Sequence, residues 1–187
     1  AEQALGCAGR EGRELFAIYT RRRYNRDIIQ PGRRKLQRVG GEAMREERRA
    51  RRVLILDGQG GGMGAQLVRL LGDRLPAGCE LLCAGTNVLA TSAMLKAGAA
   101  QGATGENAVI HNAGRADLIL GPIGVILANG ILGEVSPAMA AAVSGSEAVK
   151  VLIPSSTCGV HVAGTEDCRL DEYLRRAVEI ALRELEK

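Results

Sequence analysis

Apolar residues along this chain follow two alternating rhythms from Val53 onward. Val53-Leu54-Ile55-Leu56 is an unbroken apolar run with β-branched members, closed by Asp57-Gly58. That is the pattern of a strand buried on both faces. Glu80-Leu81-Leu82-Cys83-Ala84, Asp117-Leu118-Ile119-Leu120 and Lys150-Val151-Leu152-Ile153 repeat it, stopping at Gly85-Thr86-Asn87, Gly121-Pro122 and Pro154. Between these runs the period lengthens. Leu67, Val68, Leu70, Leu71 and Leu75 recur at helical spacing, with Gln66, Arg69, Asp73 and Arg74 opposite, and Pro76 and Gly78 mark the end. Helices are also predicted over 88–96, 123–132, 137–143 and 170–186, with Pro137 following Ser136 and with Asp171 and Glu172 in the first turn of the last one. Residues 98–116 are ambiguous. Ala108-Val109-Ile110 reads as a strand, but a helix from Gly105 to Ala113 with Thr104 as its N-cap is preferred. Val160-His161-Val162-Ala163 reads as a short edge strand. Strands alternating with helices predict an α/β fold, a single Rossmann-like domain over 52–187 with a mostly parallel sheet wound with helices.

Residues 1–51 show no comparable period and are predicted to be a basic, disordered N-terminal extension. Charge divides the chain in the same place. Residues 1–52 hold 15 Lys and Arg against 7 Asp and Glu, a net +8, whereas the remaining 135 hold 10 against 14, a net −4. The extension reads either as a basic arm for nucleic acid or an anionic membrane, or as a solvated tail. A third reading places the natural start at Met44, because Gly40-Gly41-Glu42 before it can be encoded by a purine-rich ribosome-binding sequence; residues 1–43 would then be upstream sequence. The acidic body makes nucleic acid an unlikely partner for the domain itself. After residue 52 the only aromatic is Tyr173, so no ring platform for stacking bases is expected.

The five cysteines, Cys7, Cys79, Cys83, Cys158 and Cys168, are odd in number and scattered, which is not a disulfide framework. Reduced thiols and a cytoplasmic location are expected. The longest apolar stretch, Leu118 to Leu132, is interrupted by Gly121, Pro122, Gly124, Asn129 and Gly130, so no membrane span is predicted. Cys158, His161 and Cys168 are too few and too loosely spaced for a zinc site, and no metal is expected.

The candidate chemistry centres on Gly58-Gln59-Gly60-Gly61-Gly62-Met63-Gly64, which follows a strand and opens a helix. Glycines there allow positive φ and close approach of a phosphate, with Gly62 the expected pivot, and the helix N-terminus offers free N–H groups. The spacing Gly58-x-x-x-Gly62-x-Gly64 matches short-chain dehydrogenases, and Gly58-x-Gly60-x-x-x-Gly64 a looser Rossmann form. Met63 occupies the third glycine position of the strict fingerprint. A P-loop is excluded because Gly64 is followed by Ala65-Gln66. No carboxylate stands at the end of the second strand, where a classical NAD site has one, and no Tyr-x-x-x-Lys occurs in the body. The loop is therefore expected to hold NAD(P), another nucleotide or another small anionic ligand, with a purely structural turn as the alternative.

Other polar residues gather at predicted strand C-termini, where ligands of such sheets sit. They are Asp57, Thr86, Asn87, Gly121, Pro122 and Ser155, with Ser156, Thr157 and Cys158 beyond, and Thr104 if it opens a helix. Asp57, Glu106 and Asn107 are the catalytic candidates. Asp57 alternatively caps the loop's own N–H groups. Lys96 and His111 read better as helix-surface residues than as ligands. Three functions follow: binding of an anionic small molecule with or without catalysis, a non-catalytic regulatory or assembly protein, and a nucleic-acid-associated protein acting through the extension. Between Ile123 and Val143 the single charge is Glu134. A segment apolar on all sides is normally buried on all sides, so a homodimer packed through 123–143 is expected.

Several segments together carry a resemblance. They are Val53 to Gly64, Gly85-Thr86-Asn87 with Ala90-Thr91 and Ala93-Met94-Leu95-Lys96-Ala97-Gly98-Ala99, Gly102-Ala103-Thr104-Gly105-Glu106-Asn107-Ala108, and Gly121-Pro122-Ile123-Gly124. From about Arg52 to the C-terminus the chain resembles a family of short bacterial proteins, domain of unknown function 3842. The resemblance implies a small cytosolic α/β protein of unassigned activity, common in anaerobic Gram-positive bacteria, and supplies no catalytic residues. Members begin close to the first strand, so residues 1–43 depart from the pattern. Gly114 stands where members often carry a basic residue, which makes the dehydrogenase-like Asn112-Ala113-Gly114 accidental.

Overall fold

The first apolar run forms the central strand. In the computed structural model, which describes residues 50–155, 159–165 and 168–187, β1 (Arg51–Asp57) pairs in parallel with both β2 (Cys79–Gly85) and β4 (Leu118–Pro122). β3 (Gln101–Thr104) extends the sheet beyond β2, and β5 (Val149–Ile153) beyond β4, giving the order β3-β2-β1-β4-β5 with every pairing parallel. Residues 1–49 of the predicted extension, their expected disorder and the Met44 start lie outside the described residues, as do Ser156, Thr157 and Cys158; Arg51, placed in the extension by the sequence, is the first residue of β1.

Side chains alternate across a strand, and β1 uses both directions. Val53 and Ile55 point into one apolar layer; Leu54 and Leu56 point into the other. Register carries this across the sheet: Val53 lies beside Leu81 and Leu118, and Ile55 beside Cys83 and Leu120, all in the first layer. α1 (Gly62–Gly72), α2 (Val88–Lys96) and α5 (Leu170–Leu185) cover that layer with Leu67, Val68, Leu71, Met94, Leu174, Val178 and Ala181. α3 (Glu106–Ala113) and α4 (Pro137–Gly145) cover the second with Val109, Ala113, Met139, Ala140 and Val143. A parallel sheet needs both faces covered, because its crossovers put helices there. No helix among the described residues is long and apolar enough to cross a membrane.

The structure corrects four expectations. β3 was not anticipated: Gln-Gly-Ala-Thr has no apolar pattern, and it pairs only at the sheet edge. Thr104 ends this strand, so Gly105 caps α3 and Thr104 does not. Over 123–132 a helix gives way to one 3-10 turn, Ile123–Ile126, followed by tight turns. The reason is local. β-branched Ile123, Val125, Ile126 and Ile131 are weak helix formers, and Gly130 sits so close to the Gly124 carbonyl that a Cβ would lie 2.3 Å from it. Residues 160–163 form no strand; Gly159 and Gly164 have positive φ, and Thr165 N–H donates to the Val162 carbonyl at 3.3 Å, turning the chain back.

The outward face of 123–143 is also different from expectation. Met139, Ala140 and Val143 are buried, while Ala138 and Ala141 are exposed. Alanine facing water costs little, so the segment does not have to be covered on all sides. Leu132 is the exception, at 89% exposure.

Leu67 is fully buried between α1 and the sheet. Leu67→Ala should lower stability by about 2–5 kcal/mol in urea unfolding. Ile180→Ala, at a residue 45% exposed on α5, should change it by no more than about 0.5 kcal/mol.

Candidate functional site

The strand order reverses direction at β1. The chain steps outward to β2 and β3, then crosses back to place β4 on the other side of β1. Adjacent C-terminal ends at such a reversal leave a crevice, because the connections leave in opposite directions. A cavity of about 350 Å³ lies there, lined by Asp57, Gly58, Gln59, Gly60, Gly61, Gly62, Met63, Pro122, Ile131, Leu132 and Ser155. Three strand ends and the glycine loop thus converge on one space. Among the described residues no three His, Cys, Asp or Glu side chains gather to hold a metal.

The buried Asp57 carboxylate builds the loop. Its Oδ1 accepts from Gly58 N–H at 2.8 Å and its Oδ2 from Gly64 N–H at 2.6 Å, with Met63 N–H also bonded to the side chain. The alternative that Asp57 caps its own loop is therefore what the geometry shows. Burial pushes the Asp57 carboxyl above its ordinary value, opposed by these amides, and Glu134 adds to the upward push. Gly61 N–H donates to the Gly58 carbonyl at 2.9 Å and closes the turn.

The pivot is Gly61, not Gly62. Gly61 has φ 68°, and a Cβ there would meet Ala90 backbone atoms at 2.6 and 2.7 Å, so α1 and α2 touch through it. Gly62 is already the first residue of α1, and a Cβ on it meets nothing within 4 Å. Gly64 allows close packing of α1 on its surroundings: its Cβ position lies 2.6 Å from Met94 Sδ and 2.8 Å from Asp57 Cβ. The Gly60 and Gly62 amides have no hydrogen-bond partner among the described residues and border the cavity.

Sequence reasoning missed Glu134 as a site residue. Its Oε2 accepts from Gln59 N–H at 2.9 Å, from Asn87 Nδ2 at 3.0 Å and from the Thr86 hydroxyl. Asn87 Nδ2 also donates to the Gln59 carbonyl at 2.9 Å, and Asn87 Oδ1 caps α2 by accepting from Ala90 N–H at 2.9 Å. Thr86 and Asn87 therefore join the glycine loop through a residue 75 positions from Gln59. Burial alone would raise the Glu134 carboxyl, but the three donors outweigh it and hold it below its ordinary value of 4.5. The turn that delivers Glu134 is strained. Asn129, Ile131 and Leu132 have φ of 61°, 54° and 56°, followed by Gly133 at 87°. Positive φ is rare for branched side chains and costs on the order of 1–2 kcal/mol each.

Other candidates lie elsewhere. Thr104 Oγ1 is 2.7 Å from Thr91 Oγ1 under the β2–β3 edge. Glu106 accepts from the Ser136 hydroxyl, and Asn107 is exposed. Gly121 packs against the Leu56 carbonyl between β1 and β4. Lys96 closes α2 and does not line the cavity, and His111 on α3 pairs with Arg115, just beyond the helix, at 2.6 Å. Cys83 is buried, which pushes its thiol up to about 11.

These shifts set opposite pH dependences. Glu134 is lowered on folding, so the stability it contributes is present above pH 4.5 and lost as pH falls through its folded value. Asp57 is raised, so its contribution is present below its ordinary value and lost as pH rises through its folded value. Thermal unfolding between pH 3 and 7, roughly the range of carboxylate titration, should show a smaller acid-side fall in Tm for Glu134→Gln than for the native chain. An unchanged acid limb would remove the Glu134 contacts from the folded state.

No curated protein matches the sequence. Among solved structures, the chain is similar to the crystal structure of a dodecameric FMN-dependent UbiX-like decarboxylase from Escherichia coli O157:H7. That similarity has 15% identity and a TM-score of 0.40, over 73% of this chain and 95% of the other. Residues 52–186, nearly all of the described α/β body, match the family described as Domain of unknown function (DUF3842), and the chain belongs to that family.

Proposed function

We propose that this protein binds a small anionic molecule, a nucleotide or dinucleotide such as NAD(P), with a phosphate on the glycine loop. The observation that carries this reading is the pair of unpartnered amides, Gly60 and Gly62, bordering the cavity at the N-terminus of α1. Backbone N–H groups and the helix dipole both favour an anion there. The reading is one of binding, without a catalytic step. Both Asp57 oxygens are engaged by loop amides, and Glu106 and Asn107 do not line the cavity.

Gly62→Val tests the loop without disturbing the fold, since its Cβ position is open and its backbone is helical. A branched side chain there fills the approach to the free amides. In a thermal-shift series of nucleotides and dinucleotides, the native chain should be stabilised by about 2.7 kcal/mol at 100 times Kd, and Gly62→Val should show no shift while unfolding cooperatively. Equal shifts in both proteins would take the loop out of the site.

A second reading, self-association through 123–143, is favoured by Leu132, whose exposure of 89% leaves a large apolar side chain in water at the cavity rim. A homodimer would cover it. Sedimentation of the native chain should then give a dimer and Leu132→Glu a monomer; a native monomer would remove this reading.

A further inference from the structure

The sequence places no acid at the end of β2, which counts against a dinucleotide. The fold places one there from another segment. Glu134, from the turn after β4, is bonded to Thr86 and Asn87 just beyond the last residue of β2, Gly85, and to the loop amide of Gln59. Its three bonds all fall on Oε2, and Oε1 has no partner among the described residues. Glu134 does not itself line the cavity; it adjoins it through its bond to Gln59 and through Ile131 and Leu132 of its own turn, which do line it. A carboxylate at this position accepts from ribose hydroxyls in dinucleotide-binding sheets.

We propose that Glu134 is the ribose-reading residue of the site, and that its ligand class is a ribonucleoside diphosphate diester with a free 2′-hydroxyl. This rests on the reading that the glycine loop holds a phosphate. Three observations agree on it. First, the free Oε1 is an ionised acceptor fixed by three donors, so a hydroxyl can donate to it while a 2′-phosphate meets like charge. Second, no Lys or Arg among the described residues lines the cavity, and the Asp57 carboxylate is bonded to the loop amides from below. That favours the singly charged phosphates of a diester, which backbone amides alone can hold, over a doubly charged terminal phosphate. Third, Val88 and Leu89 immediately follow Asn87 and are 67% and 72% exposed. They supply apolar surface beside the ribose position for a flat base.

The strained turn gains a reason from the same assignment. Bringing an acid from behind β4 to the β2 side of the loop within so few residues requires a sharp reversal. Four consecutive or near-consecutive positive φ values, Asn129, Ile131, Leu132 and Gly133, provide it.

The experiment compares ADP-ribose with 2′-phospho-ADP-ribose by calorimetric titration against the full chain. The native protein should bind ADP-ribose at least about tenfold more tightly. Glu134→Gln should bring the two within about threefold, mainly by improving the phosphorylated probe. Equal affinities in the native chain overturn the assignment, and that comparison needs no variant to fold. Discrimination that survives in a cooperatively unfolding Glu134→Gln also overturns it. If neither probe binds but another nucleotide binds natively and is lost in Gly62→Val, the loop reading stands and the ribose assignment fails. If no nucleotide binds, both fail.

Discussion

β1 has no free face. Val53 through Asp57 are buried and paired with β2, and Val53 through Ile55 are paired with β4 as well. A strand enclosed in four directions must have helices above and below and neighbours left and right, and it can surface only at its ends. Its last residue is the polar Asp57, which cannot be buried without partners. The glycine loop is the solution: the chain turns back so that the amides of Gly58, Met63 and Gly64 satisfy the carboxylate. Enclosure of one apolar run and the shape of the loop above it therefore depend on each other. That is why the only conformationally demanding glycine of the loop, Gly61, also sits where α1 meets α2.

Elements whose residues bury a face were legible in the sequence. The bounds expected for α2, 88–96, are those observed, and β1, β2, β4, β5 and α5 agree within one or two residues. Failures share a physical cause. β3 adds one backbone ladder and almost nothing to the core: its four residues are mostly exposed and it has a neighbour on one side only. With no burial there is no pattern to read. The turn region 127–134 is apolar in composition but irregular in path, because its residues pack against the loop instead of along a helix axis. Composition reports that such residues want cover and says nothing of direction.

The candidate site divides the same way. Asp57, Gly58–Gly62, Met63, Pro122 and Ser155 were legible because strand ends and turn residues mark themselves, and they share one cavity. Glu134 was visible only as a lone charge in an apolar stretch. Its pairing with Gln59, Thr86 and Asn87 is set by the strand order, which brings the β4 exit beside the β1 and β2 exits, and by backbone angles that no propensity anticipates. A lone acid within a long apolar segment beside a glycine loop is the signal that was available.

At the opposite end of the sheet, Arg51 Nη1 donates to the Leu185 carbonyl at 2.7 Å. The entrance to the central strand and the exit of the last helix are thus fastened together. With about 3.3 Å per residue, β1 carries that junction roughly 20 Å from Asp57 and the cavity. The two ends of the α/β body meet on its blunt side, so a short peptide could join them. A circular permutant linked there and opened elsewhere would keep the crevice and its loop intact, and a label or surface tether attached at the junction would leave the cavity facing away from its support.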